Sequence, residues 1–408
     1  MIRKKINYLF VFMVIYVLVF SFIGEIVGQG GDELIVIPYL QSSYKTYIIL
    51  VFLCVGVFLT FLRNTKYVFD TIDVALIFRA IFLVFPFFYI QNTSNYWGYY
   101  ATNIIVLLVY ELAKRNWKDF NKVFKVLTLF GFILSIQVIA TYLIGNLDYL
   151  GDYYKYFMAI PIGKTNYIGC FILPAYIFAD MDETINKKKK FIILLILVIG
   201  MLLLKSRGTI LMLLAYYCFK LFPQMKKKGI KLKSMLALLV VGIIVFLFLS
   251  LYSGQIGQYA STFIFGTKNG TYYDTQLGLL DRLTSQRFLV NDEINELAMR
   301  YPFFGNGPVY EIGIYRAHNF ITDAFYQSGI VGTILYLYAL WVWFKKMYKF
   351  KSNQVMKRFY IPVLVILIQG LIETSVFLIP TDVILWCLIG ASISYAKFLE
   401  YNGLENIS

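Results

Sequence analysis

The residue best suited to acid–base chemistry in this sequence is His318, the only histidine among its 408 residues. An imidazole has an ordinary pKa of about 6.5, so it can take up or release a proton near neutral pH. An isolated histidine can also simply anchor the chain at an interface. The residues around His318 therefore decide between these two interpretations.

Three arginines could act together with this histidine. Arg207 follows Ser206 in a short connection between two apolar segments, and Arg282 and Arg287 precede His318 in the sequence. A guanidinium group binds phosphate oxygens through a planar fork. Arginines that converge at a membrane surface would therefore suit a lipid-linked pyrophosphate.

The composition indicates a membrane protein as the scaffold for these residues. Hydrophobic residues make up 59% of the chain, the mean hydropathy is +0.68, and charged residues make up only 15%. The charges fall in short clusters between apolar runs of about 20 residues, which is the length that crosses a bilayer as a helix. The runs do not alternate as membrane strands do. We therefore predict an all-α polytopic membrane protein.

The apolar runs predict about twelve transmembrane helices. The first follows Arg3, Lys4 and Lys5 and has no small-residue cleavage site, so we interpret it as a signal anchor. The predicted helices cover residues 6–27, 45–62, 71–90, 97–113, 123–145, 165–180, 190–204, 208–223, 234–252, 319–344, 359–379 and 381–398.

The positive charges predict the topology. With the N-terminus inside, the inner connections hold 27 of the 38 Lys and Arg residues, and both termini are cytoplasmic. These inner connections explain the net charge of +15, and we predict no nucleic-acid partner. The chain reads as one transmembrane domain over residues 1–408, with a long extracytoplasmic loop at 253–317 between helices 9 and 10. Residues 281–300 of this loop predict a short amphipathic helix, which Pro302 ends.

Two ionisable residues fall inside predicted spans, Arg79 in helix 3 and Glu373 in helix 11. Such residues are either functional or paired with a buried partner, because an unpaired charge in a membrane is costly. They could pair with each other, and their role stays open.

An ordered set of motifs resembles the O-antigen polymerase and O-antigen ligase superfamily. The segments are DRLTSQR at 281–287, YPFFGNG at 301–307, AHNF at 317–320 and GIVG at 329–332. In that family a loop arginine precedes a Pro-x-x-Gly-x-Gly turn, and a His-Asn pair opens a helix with a Gly-x-x-Gly step. The pair of Ser206 and Arg207 is similar to the family's Ser-Arg pair at the outer end of an earlier helix.

The resemblance implies a metal-independent, inverting glycosyltransferase of the membrane-embedded class, acting on glycans carried by a polyprenyl pyrophosphate. Arg207 and Arg287 would stabilise the leaving pyrophosphate. His318 would orient or deprotonate the acceptor hydroxyl, or contact the diphosphate as a cation. The long loop has only one close pair of acidic residues, Asp292 and Glu293, and adjacent residues on a helix point apart, so we expect no metal and no cofactor.

Further residues are candidate substrate contacts. Asn319, Tyr310 and Tyr315 could bind sugar hydroxyls, although most of the 34 tyrosines must serve packing or the membrane interface. Arg282 is a candidate phosphate contact. Arg316 is a candidate substrate contact, although its position at a helix end favours an arginine that reaches a lipid headgroup.

The function implied is polymerisation of undecaprenyl-pyrophosphate-linked oligosaccharide units into an O-antigen, capsule or exopolysaccharide. It would take place on the outer face of a bacterial cytoplasmic (inner) membrane, with a flippase and a chain-length regulator as possible partners. One alternative is a ligase that transfers a finished glycan to another acceptor. A second alternative is a flippase of lipid-linked oligosaccharide, for which we would expect repeat symmetry and charges near the midplane.

Overall fold

A computed structural model describes residues 7–23, 42–63, 69–90, 96–144, 160–162, 165–204, 206–227, 287–308, 317–372 and 376–403. This part of the chain is helical and contains no strand. Its α-helices are α1 (Tyr8–Phe22), α2 (Ser42–Arg63), α3 (Thr71–Phe82), α4 (Tyr96–Arg115), α5 (Phe120–Ile144), α6 (Thr165–Met181), α7 (Lys187–Leu203), α8 (Arg207–Lys227), α9 (Arg287–Ala298), α10 (Phe320–Lys349), α11 (Gln354–Gly370) and α12 (Ile379–Tyr401). Two 3₁₀ turns, Phe85–Phe88 and Trp117–Asp119, follow α3 and α4.

Five helical segments are long and apolar enough to cross a membrane: Tyr44–Arg63, Thr71–Phe88, Phe120–Leu143, Phe320–Lys349 and Ile379–Tyr401. Shorter apolar helices cover Tyr8–Phe22, Tyr167–Met181 and Gly208–Tyr217. The prediction of a helical membrane protein is therefore confirmed. The count of twelve spans stays a prediction, because residues 234–252 lie outside the described part and α9 belongs to the predicted loop.

Small residues bring the helices close together. A Cβ on Gly390 of α12 would lie 2.5 Å from the Tyr110 carbonyl oxygen of α4, and one on Gly131 of α5 would lie 2.3 Å from the Ala175 Cβ of α6. Such residues let helix backbones approach closely where lipid supplies no hydrophobic driving force. Within this packing α12 is the most enclosed of the five candidate spans, with 78% of its apolar window buried.

A charged cluster joins α3, α4 and α12 at their predicted cytoplasmic ends. The Asp70 side chain caps α3, and Lys114 of α4 forms ion pairs with Asp73 and, at 2.5 Å, with Glu111. Lys397 of α12 lies 3.2 Å from Asp70. Burial opposes the charge on Asp70, but Lys114 and Lys397 outweigh burial and lower the pKa of its carboxyl. The cluster therefore ties three helices together through ionised groups.

The predicted span at 319–344 is not one straight helix. Gly329 has φ 57° and ψ −166°, and the rings of Phe320 and Tyr336 lie 6.3 Å apart. Sixteen residues of straight helix would separate them by about 24 Å. The chain therefore folds back at Gly329 into a short arm (residues 320–328) and a long arm (residues 330–349). The long arm is about 30 Å long and is alone sufficient to cross the hydrocarbon core.

The predicted span at 359–379 is also corrected, because α11 already ends at Gly370. Before α12 the backbone turns through Phe377, which has φ 64° and whose amide donates to Asp382 Oδ1 at 3.1 Å. Pro380 then lies in the first turn of α12, where a missing amide hydrogen has no cost. The apolar run continues through this turn. Hydropathy alone therefore placed the end of this helix too late in the sequence.

Candidate functional site

The turn at residues 302–307 docks on the bend of α10. Four backbone hydrogen bonds join the two segments: Asn306 N to Tyr326 O (2.7 Å), Gly307 N to Gln327 O (3.0 Å), Ile330 N to Pro302 O (2.8 Å) and Val331 N to Phe303 O (3.3 Å). A helix broken in its middle leaves amide and carbonyl groups without intrahelical partners. The turn supplies these partners. We call the two joined segments, residues 302–307 and 326–331, the glycine lock.

The glycine lock depends on residues without side chains. A Cβ on Gly305 would lie 2.5 Å from the Gly329 nitrogen, and a Cβ on Gly329 would lie 2.4 Å from the Phe303 carbonyl oxygen. Both glycines also have positive φ, which side-chain-bearing residues rarely adopt. The spaced glycines of the sequence motif are therefore required by the close approach of two backbones.

Aromatic residues at the end of α3 and in the 3₁₀ segment that follows it support the same turn. The Tyr89 hydroxyl donates to the Gly305 carbonyl oxygen at 2.6 Å. Phe304 stacks on Phe82 and Phe85, with ring centroids 5.8 Å and 5.1 Å away. The turn is thus held from two sides, by α3 and by α10.

The residue His318 is fixed to α9 through its backbone. Its amide donates to Asn291 Oδ1 at 2.9 Å, and its side chain is half-buried. Arg287, the first residue of α9, lies four positions before Asn291 and therefore on the same face of that helix. The start of α9 and His318 are consequently neighbours.

Apolar packing strengthens this contact between α9 and the short arm. Ile294 and Ala298 of α9 are fully buried against Ala317 and Tyr326. The predicted amphipathic helix at 281–300 therefore forms over Arg287–Ala298, and its apolar face packs on protein next to His318.

At the start of the short arm Asn319 has a structural role. Its side-chain oxygen accepts a hydrogen bond from the Ile321 amide at 2.8 Å and caps the helix. Asparagine is a favoured N-cap residue for this reason. A sugar contact by the Asn319 amide stays a prediction.

The first turn of α8 carries the predicted Ser-Arg pair. Ser206 is buried, and its hydroxyl accepts from the Thr209 hydroxyl at 3.0 Å, which places Arg207 as the first residue of the helix. Gln369, near the end of α11, donates to the Thr209 hydroxyl at 3.3 Å. Arg207 therefore begins α8 beside Gln369 at the end of α11, and Gln369 lies eight residues before Phe377.

Residue Arg79 of α3 is buried against α4, α10 and the turn before α12, and only 2% of its surface is exposed. Its Nη1 donates to Asn103 Oδ1 of α4 at 2.7 Å, and its guanidinium lies over the rings of Tyr336 (5.1 Å) and Phe377 (5.0 Å). A pairing of Arg79 with Glu373 cannot be placed, because Glu373 lies outside the described residues.

Several predicted site groups also lie outside the described part of the chain. They are Arg282, Tyr310, Tyr315 and Arg316, together with the side chains of Arg207 and Arg287. The convergence of both arginines on His318 stays a prediction. The helix starts that carry them are placed, and the start of α9 is next to His318.

Sequence reasoning missed Asn291 and Tyr336 and named Phe320 only as part of the AHNF motif, without a role. These residues hold the arm that carries His318. A signal for Asn291 was present, since it lies one turn after Arg287 on the predicted amphipathic helix. Tyr336 had no comparable signal, because its contact with Phe320 depends on the fold-back at Gly329.

Residues 192–337 match the family model described as O-antigen ligase. The matched region includes Arg207, Arg287, His318 and both halves of the glycine lock. No curated protein matches the chain. The helices and this match together indicate a bacterial membrane protein, and members of the matched family are glycosyltransferase-like enzymes. The match is consistent with the O-antigen polymerase and ligase superfamily and confirms the resemblance that the motifs predicted.

Proposed function

We propose that this protein polymerises polyprenyl-pyrophosphate-linked oligosaccharide units into a surface polysaccharide on the outer face of the cytoplasmic membrane. The observation that carries the proposal is the hydrogen bond between Asn291 and the His318 amide. It brings the helix that begins with Arg287 to the one histidine of the chain. The helix that carries a candidate phosphate-binding residue thereby contacts the backbone of a candidate proton acceptor.

In the proposed reaction the acceptor sugar's hydroxyl oxygen attacks the anomeric carbon of the donor glycan. The bond from that carbon to the pyrophosphate oxygen breaks, and the electron pair leaves with the lipid pyrophosphate. Arg287 and Arg207 stabilise the negative charge of the leaving group. His318 takes the proton of the attacking hydroxyl. Attack opposite the leaving group inverts the configuration at the anomeric carbon.

A metal ion is not needed for this scheme, because guanidinium groups can supply the charge that a divalent ion supplies elsewhere. Within the described residues no three His, Cys, Asp or Glu side chains are grouped as metal ligands would be. Metal independence remains part of the proposal and is tested directly by chelation.

Ligase activity is the second candidate, because the family match covers both activities. The donor half of the reaction is identical, and only the acceptor differs: another repeat unit for a polymerase, a different molecule for a ligase. Flippase activity requires a substrate pathway between the two faces of the membrane. Because α9 lies beside His318, the arrangement favours a reaction at a single site over a transport pathway through the membrane.

Glycan chain length in a deletion strain distinguishes these functions. The strain is complemented with wild type, Arg287→Ala or His318→Ala. Arg300→Ala serves as a matched control, because Arg300 is exposed and lies in the turn just after the same loop helix. Membrane levels of each variant are measured. We expect a polysaccharide ladder with wild type and Arg300→Ala, and single lipid-linked units on the outer face with the other two.

Other outcomes identify the alternatives. A full-length ladder that stays on its lipid in the His318→Ala strain would identify a ligase. Single units that stay on the cytoplasmic face would identify a flippase.

A further inference from the structure

The buried Arg79 is not explained by the proposed transfer reaction. It lies within the candidate span Thr71–Phe88, and its Nε and Nη2 have no hydrogen-bond partner among the described residues, although Nη1 donates to Asn103. A buried guanidinium inside a membrane span is costly, and such residues are functional candidates by default. Its surroundings therefore indicate what it does.

The guanidinium contacts two aromatic rings from different elements. Tyr336 belongs to the long arm of α10, and Phe377 belongs to the turn before α12. A cation over an aromatic face is attracted by the ring quadrupole, and the attraction is stronger where water is excluded. Arg79 therefore holds the long arm and the turn against α3.

The face of the long arm that Arg79 contacts is also the face to which the short arm folds back. Gly332 and Tyr336 lie one turn apart on this face. A Cβ on Gly332 would lie 2.2 Å from the Ser328 Cβ of the short arm and 3.9 Å from Arg79 Cγ. The Tyr336 ring packs on Phe320, the first residue of the short arm.

We propose that Arg79 is a positioning residue that fixes the short arm of α10, and with it His318, through the ring of Tyr336. The chain of contacts runs from Arg79 to Tyr336, from Tyr336 to Phe320, and along the backbone to His318 two residues earlier. Arg79 does not itself touch the substrate in this scheme. Only the predicted effect on activity rests on the proposed function.

The single histidine allows the position of the short arm to be measured without an activity assay. The full-length protein, labelled with ¹³C-histidine and purified in detergent, gives one imidazole signal, that of His318. We compare wild type with Arg79→Met, which removes the cation but keeps an unbranched side chain, and with Arg79→Lys. Arg115→Met is the matched control, because Arg115 pairs with Glu111 at the other end of the helix that carries Asn103.

The expected result is a shifted or exchange-broadened His318 signal in Arg79→Met, a smaller change in Arg79→Lys and none in Arg115→Met. An unchanged signal in folded Arg79→Met would overturn the inference. If Arg79→Met does not fold, Asn103→Leu takes its place, since it removes the acceptor that orients the guanidinium. A His318 signal that is unchanged in folded Asn103→Leu would then overturn it.

Kinetics separate this inference from the proposed function. If both hold, Arg79→Met lowers kcat by about 10- to 100-fold through a displaced His318 and leaves KM within twofold. If the His318 signal of Arg79→Met is shifted but the wild type does not polymerise, the positioning role of Arg79 is retained and the proposed function is rejected. If the wild type polymerises but the His318 signal of Arg79→Met is unshifted, the proposed function is retained and the positioning role of Arg79 is rejected.

Discussion

Gly305 and Gly329, which are 24 residues apart in the sequence, meet so closely that a Cβ on Gly305 would lie 2.5 Å from the Gly329 nitrogen. This approach joins the turn at 302–307 to the bend of α10 and so determines where the short arm runs. Because His318 opens that arm, the glycine lock links a loop motif to a proposed catalytic residue.

Substitution of Gly329 by Ala should therefore disrupt both packing and activity. The new Cβ would meet the Phe303 carbonyl at 2.4 Å, and overpacking of this kind costs about 1–3 kcal/mol, with the strained backbone in addition. We expect lower thermal stability and a loss of about 100-fold in polymerisation rate. Gly98→Ala is the control, since nothing lies within 4 Å of its Cβ. Equal behaviour of the two variants would rule out the glycine lock.

Replacement of Asn291 by Ala should reduce activity more than stability. The variant loses one hydrogen bond, which contributes about 0.5–1.5 kcal/mol, but it frees the His318 amide from α9. We expect kcat to fall about tenfold or more with a similar unfolding temperature. Asn295→Ala, on the exposed side of the same helix, should match wild type. A wild-type kcat for Asn291→Ala would show that this contact does not position His318.

The geometry of Arg287 should matter as well as its charge. Lysine keeps the positive charge but lacks the planar fork that binds two phosphate oxygens. We expect Arg287→Lys to retain part of the activity. We expect kcat of Arg287→Ala to fall about 10²- to 10³-fold, which is the usual loss when an enzyme lacks one donor that stabilises a developing negative charge. The same pair of substitutions at Arg300 should have little effect. Full activity of Arg287→Ala in a turnover assay would remove this residue from the mechanism.

The lowered pKa of Asp70 predicts how stability depends on pH. A carboxyl whose pKa is depressed in the folded state stabilises the protein above its ordinary pKa of about 3.9, and this contribution is lost as the pH falls through the folded-state value. Asp70→Asn keeps a good N-cap residue but removes the charge facing Lys114 and Lys397.

Thermal unfolding of this variant should therefore occur at a lower temperature than that of wild type at pH 7. The loss of charge-assisted bonds corresponds to about 1.5–3 kcal/mol, and the difference should shrink as both proteins are acidified below pH 4. An unchanged unfolding temperature at pH 7 would mean that the ion pairs of Asp70 contribute nothing to stability.

The sequence was sufficient to predict most of the described helices because each is encoded locally. An apolar run such as Phe120–Ile144 specifies a membrane helix whatever surrounds it. The His-Asn pair was expected to open a helix, and Asn319 caps α10. The Ser-Arg pair was expected in a short connection between two helices, and in the structure Ser206 caps α8, which begins at Arg207.

The fold-back of α10 could not be predicted in the same way. Hydropathy continues through Gly329, and a single glycine within a helix is often tolerated. The bend forms because a distant turn supplies the hydrogen-bond partners that the broken helix lacks. For the same reason the contacts of Tyr336 with Phe320 and Arg79 had no local signal. Long-range contacts, rather than propensity, determine the candidate site.

The central claim is that this chain alone joins glycans by displacing a polyprenyl pyrophosphate, with His318 as the proton acceptor. It is tested most directly with purified protein in lipid vesicles that contain a synthetic polyprenyl-pyrophosphate-linked repeat unit and a metal chelator. The account predicts a ladder of inverted linkages and one polyprenyl pyrophosphate released per bond for wild type, and neither product for His318→Ala. Wild-type turnover by His318→Ala, or a requirement of the wild type for a divalent metal, would contradict it.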